Sequence, residues 1–251
     1  MIYAQIYIKG YTGYALSTGN ERFNATEIIN DKTYASSYRL KLGQGINVGL
    51  SIGYDLNKNI AFEITGNTLF SPKYKYSNSY QWDFNSYSNV WHWSYNGFFG
   101  DVEYASTMFG VSPQIVFRSN PYNQWIFYLK GGLDFVVVKF KKTTRTIPID
   151  FPFYNSHTPS YYQTIRYSGN LSTGIQYSFG TEYKLSKNIC VFAELTAVNL
   201  KYTFKRSQIL QYEIDGINSL SELESTKSND LDNQLVLNHV GFNIGIKYSL
   251  R

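Results

Sequence analysis

The chain has 251 residues, of which only 16% are charged and 18% are aromatic, with 24 tyrosines and a formal net charge of +5. Such low charge is unusual for a soluble surface, and the lack of any run of about 18 apolar residues excludes a helical membrane protein. The cations form no runs, which argues against nucleic acid as a partner, and a lone cysteine, Cys190, excludes an intrachain disulfide.

The first strand is predicted over Gln5–Leu16, with Ile6, Ile8, Tyr14 and Leu16 on one face and Tyr7, Lys9, Tyr11 and Gly13 on the other. Met1-Ile2-Tyr3-Ala4 reads either as the tail of a signal peptide cut after Ala4 or as the start of this strand. A polar segment, Ser17–Ser37, leads to the longest alternation, Tyr38–Tyr54. There Leu40, Leu42, Ile46, Val48, Leu50 and Ile52 share a face bracketed by tyrosines, opposite Arg39, Lys41, Gly43, Gly45, Asn47, Gly49, Ser51 and Gly53. Soluble strands usually run for about 5–6 residues. A long apolar band with aromatic ends suits a lipid-facing strand, and small polar residues suit the inside of a narrow barrel.

After the turn Asp55–Asn59, strand three is predicted over Ile60–Phe70, followed by a segment without an apolar face, Ser71–Glu103. Strand four covers Tyr104–Phe117, where Pro113 calls for a bulge near the strand end. Asn120-Pro121 marks the next turn, strand five runs over Trp125–Lys139, and Lys141–Ile165 is a second long polar loop. Strand six spans Tyr167–Tyr183. Strand seven follows the turn Leu185–Asn188, runs from Ile189 to at least Ala197, and carries Cys190 as a small buried thiol. A Ser/Asn/Asp/Glu-rich loop reaches about Asn233, and strand eight closes over Val240–Leu250. The turn Tyr54-Asp-Leu-Asn-Lys-Asn-Ile60 agrees with Tyr183-Lys-Leu-Ser-Lys-Asn-Ile189 in five of seven positions, as shared turn chemistry or duplication of a four-strand half would give.

Charge separates by face. The apolar faces carry no Asp, Glu, Lys or Arg, whereas the opposite faces hold Lys9, Arg39, Lys41, Glu63, Lys130, Asp134, Glu182, Glu194 and Lys247. A cation on a lipid face near the midplane costs ~2–4 kcal/mol, so this separation is expected of a membrane barrel. The rival, a soluble lipocalin-like barrel with its apolar side inward, would have an outer face mostly of Gly, Ser and Asn, poor in the charges that keep surfaces soluble. The expected fold is therefore all-β: one domain over 1–251, an eight-stranded antiparallel up-and-down transmembrane β-barrel with four long outer loops and three short periplasmic turns.

The alternating strands, the Tyr-x-Leu-x-Lys-Asn-Ile turns and the closing Val240-Gly-Phe-Asn-Ile-Gly-Ile-Lys-Tyr248 resemble the small eight-stranded outer-membrane barrels of Gram-negative bacteria, the OmpA/OmpX/OmpW-like family. The resemblance implies an outer-membrane location, lipid as surroundings, and a closing strand read by the barrel-insertion machinery. Family members usually end that strand in an aromatic, whereas here Ser-Leu-Arg follows Tyr248. The resemblance fixes architecture and leaves function open.

An interior charge network of Lys9, Glu63, Lys130, Asp134, Glu182, Glu194 and Lys247 is expected, because a lone buried charge is expensive. It reads as a polar plug; the alternative is a narrow conduit for small solutes. The segment Ser71–Glu103 holds eleven aromatics and three of the four tryptophans, and is expected to form a hairpin turning near Asn85–Asn89. Tyr80, Trp82, Trp91, Trp93 and Tyr95 there, among Ser and Asn, read as recognition residues for an extracellular ligand or envelope partner, or as a cap on the other loops. The sequence has no HExxH, cysteine pair or calcium loop, so neither metal nor cofactor is expected. Lipid-A-modifying enzymes share the architecture and use a rim histidine, a role for which His157 in Asn155-Ser-His-Thr158 is the one candidate, without a supporting motif. The expectation is a monomeric, non-enzymatic barrel acting through its outer loops in envelope structure, adhesion or partner binding.

Overall fold

The computed structural model describes residues 5–19, 21–29, 32–78, 83–85, 90–92, 100–146, 150–151, 156–157, 160–218 and 233–250. Eight strands form its frame: β1 (Gln5–Ser17), β2 (Gly45–Asp55), β3 (Ile60–Phe70), β4 (Gly100–Arg118), β5 (Trp125–Thr146), β6 (Ser172–Lys184), β7 (Ile189–Ile214) and β8 (His239–Ser249). Each pairs antiparallel with the next, and β8 returns to β1 with Tyr7 opposite Ser249 and Ser17 opposite His239. The ring is closed, so no strand edge faces lipid with unmet hydrogen bonds.

Alternation along each strand divides outside from inside. Outward residues form a continuous apolar belt: Ile46, Val48, Leu50 and Ile52 on β2, Phe109, Val111, Ile115 and Phe117 on β4, and Phe242, Ile244 and Ile246 on β8 are all exposed. Exposure of Leu50 at 65% and Ile52 at 62% would be costly in water and is what hydrocarbon solvates. Tyr54, Tyr122, Trp125 and Tyr248 are exposed near the short-turn rim, where Trp125 packs on Tyr183 with ring centroids 4.7 Å apart, as in an interfacial aromatic girdle.

The two similar turns share one geometry. The amides of Leu56 and Asn57 donate to the Ile60 carbonyl, and those of Leu185 and Ser186 donate to the Ile189 carbonyl. The Asn57 Oδ1 accepts from the Ile60 amide, and the Ser186 Oγ accepts from the Ile189 amide in the same place. Shared turn chemistry is sufficient to account for the repeat.

Four features differ from the sequence expectation. The Tyr38–Tyr54 alternation is not one strand: Lys32–Leu40 pairs with Glu21–Ile29 in a separate hairpin, and the chain turns at Leu42 and Gly43 before β2 begins. The Ser71 and Ser106 hydroxyls bond the Leu42 carbonyl at this turn, and the Leu42 side chain is fully buried rather than lipid-facing. The long connections are also partly sheet. β4 starts at Gly100 and takes Tyr74–Asn78 as a partner, β5 runs on to Thr146, Tyr161–Gly169 joins β5 to β7, β7 continues to Ile214, and Asn233–Val236 pairs with β7. Strand six is broken at Asn170 and Leu171, between Tyr161–Gly169 and β6. Pro113 lies mid-strand without a bulge: the β4–β5 ladder keeps its register but skips the pairs between Gly132↔Gln114 and Phe135↔Val111, where proline has no N–H to give.

Candidate functional site

The lumen is filled in three layers. The layer nearest the short turns holds charge. Lys130 Nζ contacts Glu194 at 2.7 Å and Glu63 at 2.9 Å, Lys9 Nζ lies 3.1 Å from both Glu63 and Glu182, and Lys247 Nζ reaches Glu182 at 2.8 Å. Glu194–Lys130–Glu63–Lys9–Glu182–Lys247 is thus one chain of alternating sign across six strands. Arg118 Nη1 pairs separately with Asp55 Oδ1 at 2.5 Å. Lys9, Lys130, Lys247 and Arg118 balance Glu63, Glu182, Glu194 and Asp55, so this layer is neutral.

Aromatic rings complete the layer. The Tyr7 hydroxyl donates to Glu63 and the Tyr128 hydroxyl to Glu194, at 3.0 and 2.9 Å. Their faces also take the cations: Lys9 Nζ lies 4.7 Å from the Tyr128 centroid and Lys247 Nζ 4.4 Å from that of Tyr7, within cation–π range. Glycines make room. A Cβ at Gly53 would run into the Tyr7 ring, and one at Gly180 into the Tyr128 ring.

Side-chain hydrogen bonds form the middle layer. Asn47 Nδ2 donates to Asn243 Oδ1, Asn243 Nδ2 donates to Thr196 Oγ1, and Ser51 bonds Thr65. Asp134 belongs here and not to the charge chain, a correction to the sequence reading: it accepts from the Ser112 hydroxyl at 2.6 Å, and that hydroxyl also bonds Gln176. The inward face of Asp134 was legible, but its depth, two turns of alternation beyond Lys130, separates it from the cations.

The outer layer is apolar. Leu42, Leu69, Val102, Tyr104, Met108, Val136, Val138, Phe140, Val198, Leu200, Tyr202, Phe204, Leu235 and Leu237 form one buried cluster. Tyr104 stacks on Phe140 with centroids 5.7 Å apart, and the Tyr202 hydroxyl donates to the Val138 carbonyl while accepting from the Gly169 amide. Sequence reading missed this layer, as it missed Arg118 and Asp55, which fell within expected turns although their parity with Gln114 and Gly53 places them inward.

The turn-side charges are enclosed and balanced within, and apolar residues cover the wall without. The chain is a small eight-stranded barrel of the transmembrane type. No protein-family model matches the sequence, and no curated protein does. Among solved structures it is similar to neisserial surface protein A, at 10% identity over 97% of this chain and 96% of that one, TM-score 0.43. It is similar to OprG from Pseudomonas aeruginosa, at 8% identity over 100% and 97%, TM-score 0.47. It is also similar to Ail of Yersinia pestis, solved with the heparin analogue sucrose octasulfate, at 12% identity over 98% and 99%, TM-score 0.37.

Of the expected recognition residues, Tyr80, Trp82, Trp93 and Tyr95 lie outside the described residues. Trp91 is placed by backbone alone, opposite Phe84 in the small hairpin of Asp83–Asn85 with Val90–His92. His157 pairs with Asp150 in a separate two-residue ladder. At the two ends of the Ser71–Glu103 segment, Lys73 bonds Glu103 at 2.9 Å, which holds its ammonium pKa above the ordinary value, and Lys75 bonds Asp101 at 2.7 Å. Among the described residues no His/Cys/Asp/Glu cluster is arranged to hold a metal ion.

Proposed function

We propose that this barrel is a non-enzymatic display scaffold of the Gram-negative outer membrane, acting by adhesion or partner binding through its outer elements. The observation that carries this reading is strand length. A tilted strand crosses the membrane in about 9–11 residues, yet β4 has 19, β5 has 22 and β7 has 26. The excess stands above the belt as a sheet over a filled lumen, a rigid base for the aromatic segment between β3 and β4. Tyr and Trp side chains give contact area at low entropic cost.

Replacing Trp82, Trp91 and Trp93 together with Ala tests the reading. It should preserve the heat-modifiable mobility of the folded barrel in SDS and abolish adhesion to cells or immobilised glycans. Retained binding with faster proteolysis between Ser71 and Glu103 would reduce these residues to a cap. The narrow-conduit reading is weaker, because three packed layers stand in the way of solutes; large, steady single-channel currents in planar bilayers would restore it.

A further inference from the structure

The wall that rises above the belt carries a cluster of cations on its outward face. On β5 the last apolar outward residue is Val137, paired with Phe109, and the next outward positions are Lys139 and Lys141. Across the ladder Lys141 stands opposite Arg166, and Lys139 opposite Ser168, which in turn faces Arg206 of β7. Lys139, Lys141, Arg166 and Arg206 are all exposed and make no ion pair among the described residues. On the β4 side their rungs hold only Thr107 and Ala105. The nearest carboxylates, Glu103 and Asp101, stand on higher rungs and are bonded to Lys73 and Lys75, while Glu213 takes the Gln211 side chain. Like charges directly opposite in a sheet destabilise it, so four cations on three adjacent strands call for an anion from elsewhere. Their position names it. Lys139 Nζ lies 5.3 Å from the ring of Phe109 in the belt, which sets the foot of the cluster at the boundary between hydrocarbon and headgroup.

We propose that this face binds the phosphate groups of an outer-leaflet glycolipid, with its acyl chains against Phe109 and Val137 and its phosphates against Lys139, Lys141, Arg166 and Arg206. A basic cluster next to an apolar wall matches an amphiphile with an anionic head, and matches a free anion or an acidic protein less well. The site is on the side of the barrel and shares no residue with the segment to which adhesion is assigned, so either proposal can fail alone.

The test is native mass spectrometry of the full chain, refolded in detergent and offered bisphosphorylated lipid A, the same glycolipid with its phosphates removed, phosphatidylcholine and inorganic phosphate. The bisphosphorylated lipid should be retained over the other three. Lys141→Gln/Arg166→Gln/Arg206→Gln should lower that retention by on the order of a hundredfold, at about fivefold per cation removed. Lys58→Gln/Lys184→Gln/Lys187→Gln, which removes equal charge at the short-turn rim, should leave it unchanged. Heat-modifiable mobility reports that each variant is folded, and Lys141→Arg should keep retention near the starting level. Equal retention of the dephosphorylated lipid, equal binding by the triple variant, or retention of inorganic phosphate in place of lipid would each overturn the proposal.

Discussion

Lys130 Nζ lies 2.9 Å from Glu63 Oε1 across the lumen, between strands that are not neighbours, and both side chains are almost wholly buried. Glu63 also holds Lys9, so one carboxylate serves two ammonium groups. Glu63→Gln should therefore cost about 3–5 kcal/mol, the range for breaking a buried pair from one side. Glu63→Gln combined with Lys130→Met should recover part of that loss. Urea unfolding of the barrel in lipid vesicles measures both, and a single variant as stable as the parent would mean the chain of charges contributes nothing.

Gly53 faces the Tyr7 ring closely enough that no side chain fits between them. Gly53→Ala should be destabilising by about 1–3 kcal/mol through overpacking, and by more than Gly66→Ala, where a Cβ finds only the Leu50 carbonyl oxygen at 4.0 Å. Shrinking the ring with Tyr7→Leu should partly rescue Gly53→Ala. Equal effects at Gly53 and Gly66 would show that the ring's position is not what makes Gly53 necessary.

Val48 and Leu42 both fall on the apolar side of one alternating stretch, but only Val48 faces lipid. Val48→Arg should impair folding into bilayers by ~2–4 kcal/mol. Leu42→Ala should cost about 2–5 kcal/mol as a buried cavity, in detergent and bilayer alike, because its neighbours are protein. Folding yields in micelles and in vesicles distinguish the two, and a Leu42→Ala penalty confined to vesicles would place Leu42 against lipid.

The ring of strands was legible because period-2 alternation coincided with charge: Lys9, Glu63, Lys130, Glu182, Glu194 and Lys247 all fall on one parity, and all face inward. Above the membrane the pattern inverts. Outward positions pass from Val137 to Lys139 and Lys141 on β5 and from Leu195 to Lys201 on β7, while inward positions become Val138 and Phe140, and Leu200, Tyr202 and Phe204. A reading that follows the apolar face loses the strand at that crossing, which is why strand five is expected to end at Lys139, the upper end of strand seven is left open, and the apolar outer layer goes unseen. Leu42 was misplaced for a related reason. The turn at Leu42 and Gly43 changes parity within an unbroken alternation, and the hydroxyls that fix it, Ser71 and Ser106, come from distant segments.

The chain of charges also bears on how β1 finds β8. Lys9 and Lys247 stand directly opposite each other across the seam between first and last strand, and Glu182 of β6 contacts both. Slippage of β8 by two residues would keep every side chain on its proper face and preserve the backbone ladder, so alternation alone does not forbid it. It would, however, carry Lys247 away from Glu182 and leave a cation stranded in the wall. Glu182 thus acts as a gauge of alignment, the use for which buried ionic groups are best attested. Glu182→Gln should give a barrel that still closes but in more than one register, seen as doubled amide resonances over Gly241–Ser249.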